Sequence, residues 1–370
     1  MKIEQFKMER MQSTWENEVT YNLSESGVHP LSLGELVGEE ELREILKIPL
    51  GYSQTNGTPE LREQISRLYP GAELDQILAT AGSSEANFLL MWSSLEPGDE
   101  VVFMMPNYMQ MWGLARGFGA KLKPLWLREK LGWALDLDEL RKAVSRKTKF
   151  IVVTNPNNPT GAVLSREAMS ALVEQAAASG AWIIADEVYQ GAEREAEVTP
   201  SFWGMYDKVV IVNGLSKAYG LPGLRIGWIV GPKDLIQKTW PYHDYTTISP
   251  SILSDRLGRI ALSPANRQKI LKRTRGILRN NFPILKAWLD NQEGLFSFLA
   301  PQAGAIAFAR YDLKVNSTEL VTMLIQEKSV LLVPGDHFEM DRYLRFGFGS
   351  EPDYLERGLS RVADLLERLR

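Results

Sequence analysis

Cysteine is absent from the 370 residues, so neither a disulfide framework nor a thiolate zinc site can be built, which suits a reducing compartment. Histidine is nearly as scarce. His29, His243 and His337 are the three, too scattered for a metal-ligand spacing. Neither sign of charge dominates: 42 Lys and Arg stand against 46 Asp and Glu, a net charge of -4. Without a basic footprint a nucleic-acid partner is disfavoured. No apolar run reaches bilayer-spanning length, and the opening Met1-Lys2-Ile3-Glu4-Gln5-Phe6-Lys7 lacks the apolar core of a secretion signal. The expectation is a cytoplasmic protein with no membrane partner. Repeats, low-complexity tracts and long Pro/Gly linkers are missing as well, so domain borders must come from the order of elements.

What is present is alternation. From about Leu61 to Val230, helical patterns alternate with short apolar runs at 100–105, 150–154, 182–185, 209–212 and 226–230. This order predicts an α/β fold with a mostly parallel sheet covered by helices. Ser165 to Ser179, stopped by Gly180, and Ser84 to Leu95, stopped by Pro97-Gly98, read as two of those helices. A long basic helix is expected over 268–290, followed by a smaller α+β region that ends in a helix over 354–369. In such a sheet the ligand lies at the carboxyl ends of the strands, and most of the motifs below sit at such an end.

The most informative of them is Gly214-Leu215-Ser216-Lys217-Ala218-Tyr219-Gly220-Leu221-Pro222-Gly223-Leu224-Arg225-Ile226-Gly227. An apolar strand delivers Lys217 into a turn of small residues, and Arg225 opens the next apolar run, so lysine and arginine can meet one ligand. The segment resembles the lysine signature of the class I/II aminotransferases, fold-type I enzymes that use pyridoxal 5'-phosphate (PLP). The resemblance implies that Lys217, with Ser216 beside it, carries the cofactor as a Schiff base and that Arg225 binds its phosphate. It also implies a seven-stranded-type sheet, a large cofactor domain over 47–270, a small domain over 271–370, and an N-terminal arm over 1–46 that packs with the small domain.

Other motifs take their place around this lysine. Asp186 closes the apolar run Trp182-Ile183-Ile184-Ala185. Alone it reads equally as a helix cap; in the resembling family this acid meets the protonated pyridine nitrogen and strengthens the ring as an electron sink. Tyr189, and Asn158 in Asn155-Pro156-Asn157-Asn158-Pro159-Thr160-Gly161, would donate to the cofactor's phenolate oxygen. Asn158 would also border the substrate.

Gly82, Ser83 and Ser84 open a helix, either as an ordinary cap or as a phosphate cradle of backbone N–H groups. Tyr108 follows a strand and is either core packing or the ring that stacks on the pyridine. In the family the tyrosine matching Tyr52 reaches the phosphate of the neighbouring subunit, which implies a homodimer with a shared active site. Arg345, in Tyr343-Leu344-Arg345-Phe346-Gly347-Phe348, needs an anion if it is buried; the family uses the matching arginine to clamp the substrate α-carboxylate. Gly27 is a further candidate for the same carboxylate through its N–H.

The implied reaction is amino transfer from an L-amino acid to a 2-oxo acid. A weaker likeness, in Tyr21 to Val28 and Val333 to Phe338, connects the chain to a branch containing capreomycidine synthase-like cyclases acting on arginine-derived amino acids. Met8, Met11 and Trp15 form an apolar helical stripe near Glu9, either a packing helix or a lid whose acid meets a basic substrate. His29 and His337 are either loop histidines or aids to a second proton transfer. A PLP-sensing regulator would need a DNA-binding extension, and the residues before Tyr52 carry no basic helix-turn-helix pattern.

Overall fold

The computed structural model describes residues 2–195 and 197–370. Among them the large sheet runs in the order Ile77–Thr80, Gly227–Val230, Val209–Gly214, Trp182–Asp186, Thr148–Thr154, Glu100–Met105, Lys121–Arg128 and Ala134–Leu135. Alternate side chains along these strands feed two separate cores. Val102, Ile151, Ile183 and Ile211 belong to one, and Val101, Val152, Ile184 and Val210 to the other. With apolar residues needed on both faces, the central strands read as unbroken apolar runs, which is why the sequence located them.

Two strands break the parallel order. Ala134–Leu135 is a two-residue hairpin return that adds an eighth strand to the seven expected. Gly227–Val230 is antiparallel to both of its neighbours. Its connection from Val209–Gly214 holds only the short 3-10 turn Pro222–Leu224, whereas a parallel return requires a longer crossover, usually a helix. The chain therefore doubles back directly, with Lys217 on the outgoing limb and Arg225 on the returning one.

Helix ends follow local chemistry. The Ser165 hydroxyl caps Arg166–Ser179 by accepting from the Ala168 N–H at 3.1 Å, and Gly180, at φ +78°, ends it. Gly82, at φ +91°, precedes the helix Ser83–Ser94. The long helix spans Pro264–Asp290, and the last one Pro352–Leu369. Beyond the long helix an antiparallel sheet runs in the order Phe296–Phe298, Ile306–Tyr311, Tyr343–Gly347 and Val333–Pro334. Tyr21–Asn22 pairs in parallel with Val330–Leu331, fastening the N-terminal arm to this sheet region. No described helix is long and apolar enough to cross a membrane.

Candidate active site

Lys217, Asp186, Tyr189, Asn158, Arg225 and Arg345 face one cavity of about 210 Å³, and Ser83, Ser84, Tyr108 and Ser216 complete that part of its wall. Asp186 ends its strand between Thr154 and Val212, so it emerges at the carboxyl end of the sheet. Its carboxylate is 4% exposed and accepts the Val188 N–H at 3.1 Å. Burial pushes its carboxyl up to about 6, against the lowering effect of the Val188 N–H and the Lys217 charge. Tyr189 is buried, and its hydroxyl has no hydrogen-bond partner among the described residues.

Arg345 comes from the strand Tyr343–Gly347, opposite Phe308 and Val333. It is 1% exposed; one terminal nitrogen donates to the Asn158 Oδ1 at 2.8 Å and the other to the Ser24 carbonyl at 2.6 Å, while Nε has no partner. Among the described residues no carboxylate pairs with it within 4.0 Å, and burial lowers its affinity for its proton. A buried guanidinium without a counter-ion is a strong anion site.

At the other end, Gly82, Ser83 and Ser84 turn into a helix N-terminus. A Cβ on Gly82 would collide with the Arg225 guanidinium, and one on Gly227 would run into the backbone of Gly82 and Ser83. These two glycines let arginine, turn and antiparallel strand close on a single point. Tyr108 donates its hydroxyl to Glu9 Oε1 at 2.9 Å and meets Phe6 edge-on at 5.0 Å. Glu9 belongs to the helix Lys7–Trp15, whose Met8 packs inward while Trp15 stays outside. Glu9, Gln12 and Glu25 also line the cavity.

Four sequence candidates stand apart from this group. Gly27 packs against the backbone of Ser216 and Lys217, while its neighbour Ser26 lines the cavity. Tyr52 is 87% exposed and does not line its own chain's cavity. His29 lies between Arg273 and Glu351, and His337, lowered by burial to about 4, borders a neighbouring groove.

Other contributors carried no signal of their own in the sequence. Asn107 accepts from the Thr154 hydroxyl and the Tyr108 N–H, both at 2.7 Å, and so fixes the turn that aims Tyr108. Gly304 leaves room for the Tyr189 ring, 3.2 Å from where a Cβ would stand.

Residues 39–362 match the family described as aminotransferase class I and II. The chain belongs to that family. Capreomycidine synthase of Streptomyces vinaceus is 34% identical over 350 residues, 93% of this chain and 89% of that one. A PLP-dependent aminotransferase from Streptococcus suis 89-1591 superimposes with a TM-score of 0.93 at 35% identity, covering 100% of this chain and 99% of the other. The PLP-dependent cyclase OrfR superimposes at 0.90 with 28% identity, covering 100% and 98%. The expected α/β architecture is thus borne out, and as in other class I and II aminotransferases the cofactor is pyridoxal 5'-phosphate.

The residues present fit that group on observations independent of the likeness. Among the described residues a tyrosine hydroxyl stands unpartnered, available to a phenolate oxygen, and the buried Asp186 carboxylate has no cation within 4.0 Å. A glycine turn leaves open the volume that a Cβ would fill beside an arginine.

Proposed function

We propose that this cavity transfers the amino group of an L-amino acid to a 2-oxo acid. The observation that carries the proposal is Arg345, buried without a counter-ion among the described residues, in the same cavity as Lys217 and Asp186. When bound, PLP supplies an aldehyde carbon that takes up the substrate amine and a ring that accepts the electron pair left by the α-proton.

Lys217 would hold the cofactor covalently and, with its amine free, would serve as the base. Its Nζ would take the α-proton of the substrate and be the group that gives a proton back. The Asp186 carboxylate keeps a proton on the pyridine nitrogen. Tyr189 and the Asn158 amide donate to the phenolate oxygen, Asn158 using its N–H because Arg345 occupies its Oδ1. Tyr108, in the cavity wall, would lie against the ring. Arg345 grips the α-carboxylate with its fork, and Gly27 stands behind Lys217 as a further donor to that end. Gly82, Ser83, Ser84, Ser216 and Arg225 hold the phosphate, joined by the Tyr52 hydroxyl of a second copy in a cytoplasmic homodimer. Residues 47–270 form the cofactor domain, and 271–370 form the small domain together with the arm 1–46.

A second reading rests on a different observation. Glu9 and Glu25 line the cavity, and Glu16 is raised by burial and by the charges of Glu25 and Glu9. Two carboxylates in the cavity wall, with a third within electrostatic reach of both, suit a substrate with a cationic side chain, as in a cyclase or eliminase acting on an arginine-derived amino acid. Incubation with candidate amino acids and 2-oxoglutarate separates the two. Glutamate formed from at least one donor is the expected result. No glutamate from any donor, together with solvent deuterium entering Cβ or Cγ of arginine derivatives, would establish the second reading in its place.

A further inference from the structure

The helix that opens the phosphate turn carries a carboxylate for which the proposed reaction has no use. Glu85 is 9% exposed, and donors surround it. The Ala81 N–H reaches it at 2.6 Å, the Thr247 hydroxyl at 2.8 Å, the Thr247 N–H at 3.2 Å and His243 Nε2 at 3.2 Å, with the Thr246 hydroxyl also donating. Burial opposes its ionisation, but the hydrogen bonds from His243, Thr246 and Ala81 prevail and hold it down at about 2. It is a fixed anion placed between two segments.

One segment is the phosphate turn itself, since Ala81 immediately precedes Gly82, Ser83 and Ser84. The other is the loop 244–250, which carries two exposed apolar side chains: Tyr245 is 80% exposed and Ile248 is 43% exposed. Ile248 also has φ +69°, an uncommon backbone for a β-branched residue. The Tyr52 segment is tied to the same region, with the Ser53 hydroxyl donating to the Pro250 carbonyl at 2.6 Å and Trp240 Nε1 to the Thr55 hydroxyl at 2.9 Å. Leu50 and Tyr52, 80% and 87% exposed, extend the apolar face. Glu85 thus touches a loop whose exposed apolar side chains belong to the face where a second copy would bring its own Tyr52 into reach.

We infer that Glu85 couples subunit association to cofactor binding, an inference that rests on the homodimer proposed above. A second copy pressing on Tyr245 and Ile248 holds Thr246 and Thr247 against the carboxylate. The carboxylate then holds the Ala81 N–H and sets the turn that leads into the Ser83 and Ser84 N–H groups at the helix start. By linkage, the cofactor strengthens association by the same factor as association strengthens cofactor binding. Glutamine cannot replace this group, because its one acceptor oxygen and its NH₂ cannot serve donors that approach both carboxylate oxygens.

Subunit exchange between two differently tagged copies, followed with and without saturating PLP, tests the coupling. In the wild-type protein PLP should slow exchange about tenfold. In Glu85→Gln, and in the milder Thr246→Val/Thr247→Val, the rates with and without PLP should converge, with both proteins folded by circular dichroism. A merely structural role would speed exchange in both states and leave the PLP effect intact, which would overturn the assignment of Glu85. A wild-type protein that sediments as a monomer would overturn the homodimer and the coupling with it, a failure visible before any variant is made.

Discussion

The two arginines at the ends of the cavity live in opposite surroundings. Arg345 is buried, bonded to two neutral oxygens and the Met8 sulfur, and without a counter-ion within 4.0 Å among the described residues. Arg225 is exposed, held in a left-handed backbone at φ +48°, and donates to the Pro222 carbonyl at 3.0 Å beside Gly82. An unpaired charge in a low-dielectric interior binds an anion strongly and exclusively. An exposed charge is screened, and here it would share its anion with the backbone N–H groups of a helix start. The buried end should therefore decide which molecules react, and the exposed end should only adjust how tightly the cofactor stays.

The comparison is broken most severely in the middle. Lys217→Ala should lower turnover about 10⁴-fold, the loss expected for an acid–base group, while both anion ends still bind their ligands in equilibrium dialysis. Arg345→Ala comes next: about 3 kcal/mol, roughly a hundredfold, should be lost in kcat/KM for amino acids, with cofactor affinity unchanged. The corresponding decarboxylated amines should show no such loss, and an equal loss for both would remove the carboxylate assignment. Arg225→Ala should weaken cofactor binding by about 1 kcal/mol, read by fluorescence titration, and leave the preference for carboxylated substrates as it was. A larger effect at Arg225 than at Arg345 would reverse the comparison.

The last effect is on stability rather than on either anion end, and concerns the carboxylate between them. Burial raises Asp186 to about 6 in the cofactor-free chain, so the folded state holds this proton more tightly than the unfolded one. That contribution to stability is present below the ordinary carboxylate range and is lost as the pH rises through about 6, on the order of 2 kcal/mol. Asp186→Asn should flatten this part of the melting temperature against pH, and so should PLP, by placing a cation beside the carboxylate. The neighbouring Glu187, raised by burial to about 8 and bonded to Ser201 and Phe202, should give a further decline up to that pH that PLP does not remove. A profile that Asp186→Asn leaves unchanged between about pH 4 and 7 would contradict the burial argument.

Much of this was legible because strand ends leave a mark in sequence. Apolar runs buried on both faces announce themselves, and the polar residue that closes one, Asp186, or stands in the turn just after one, Asn158, stands out against it. The strand Lys121–Arg128 was not visible, because its lysines and Pro124 interrupt an apolar pattern that is buried only at Leu125 and Leu127. Burial of Arg345 without a carboxylate, the Glu9 contact to Tyr108 and the Glu85 cluster all join segments far apart in the chain. Such contacts have no period and no spacing, so only the folded chain reveals them. Gly304 likewise looks like any turn glycine until the Tyr189 ring is seen beside it.

The central claim is that the Lys217 amine carries the cofactor in the cavity it shares with Asp186 and Arg345. Reduction of the PLP-loaded protein with borohydride, followed by peptide mass mapping, tests it most directly. The account predicts one modified site, on the peptide containing Lys217, and its loss in Lys217→Ala. Stoichiometric label on a different lysine, or full cofactor binding with no reducible bond, would contradict it.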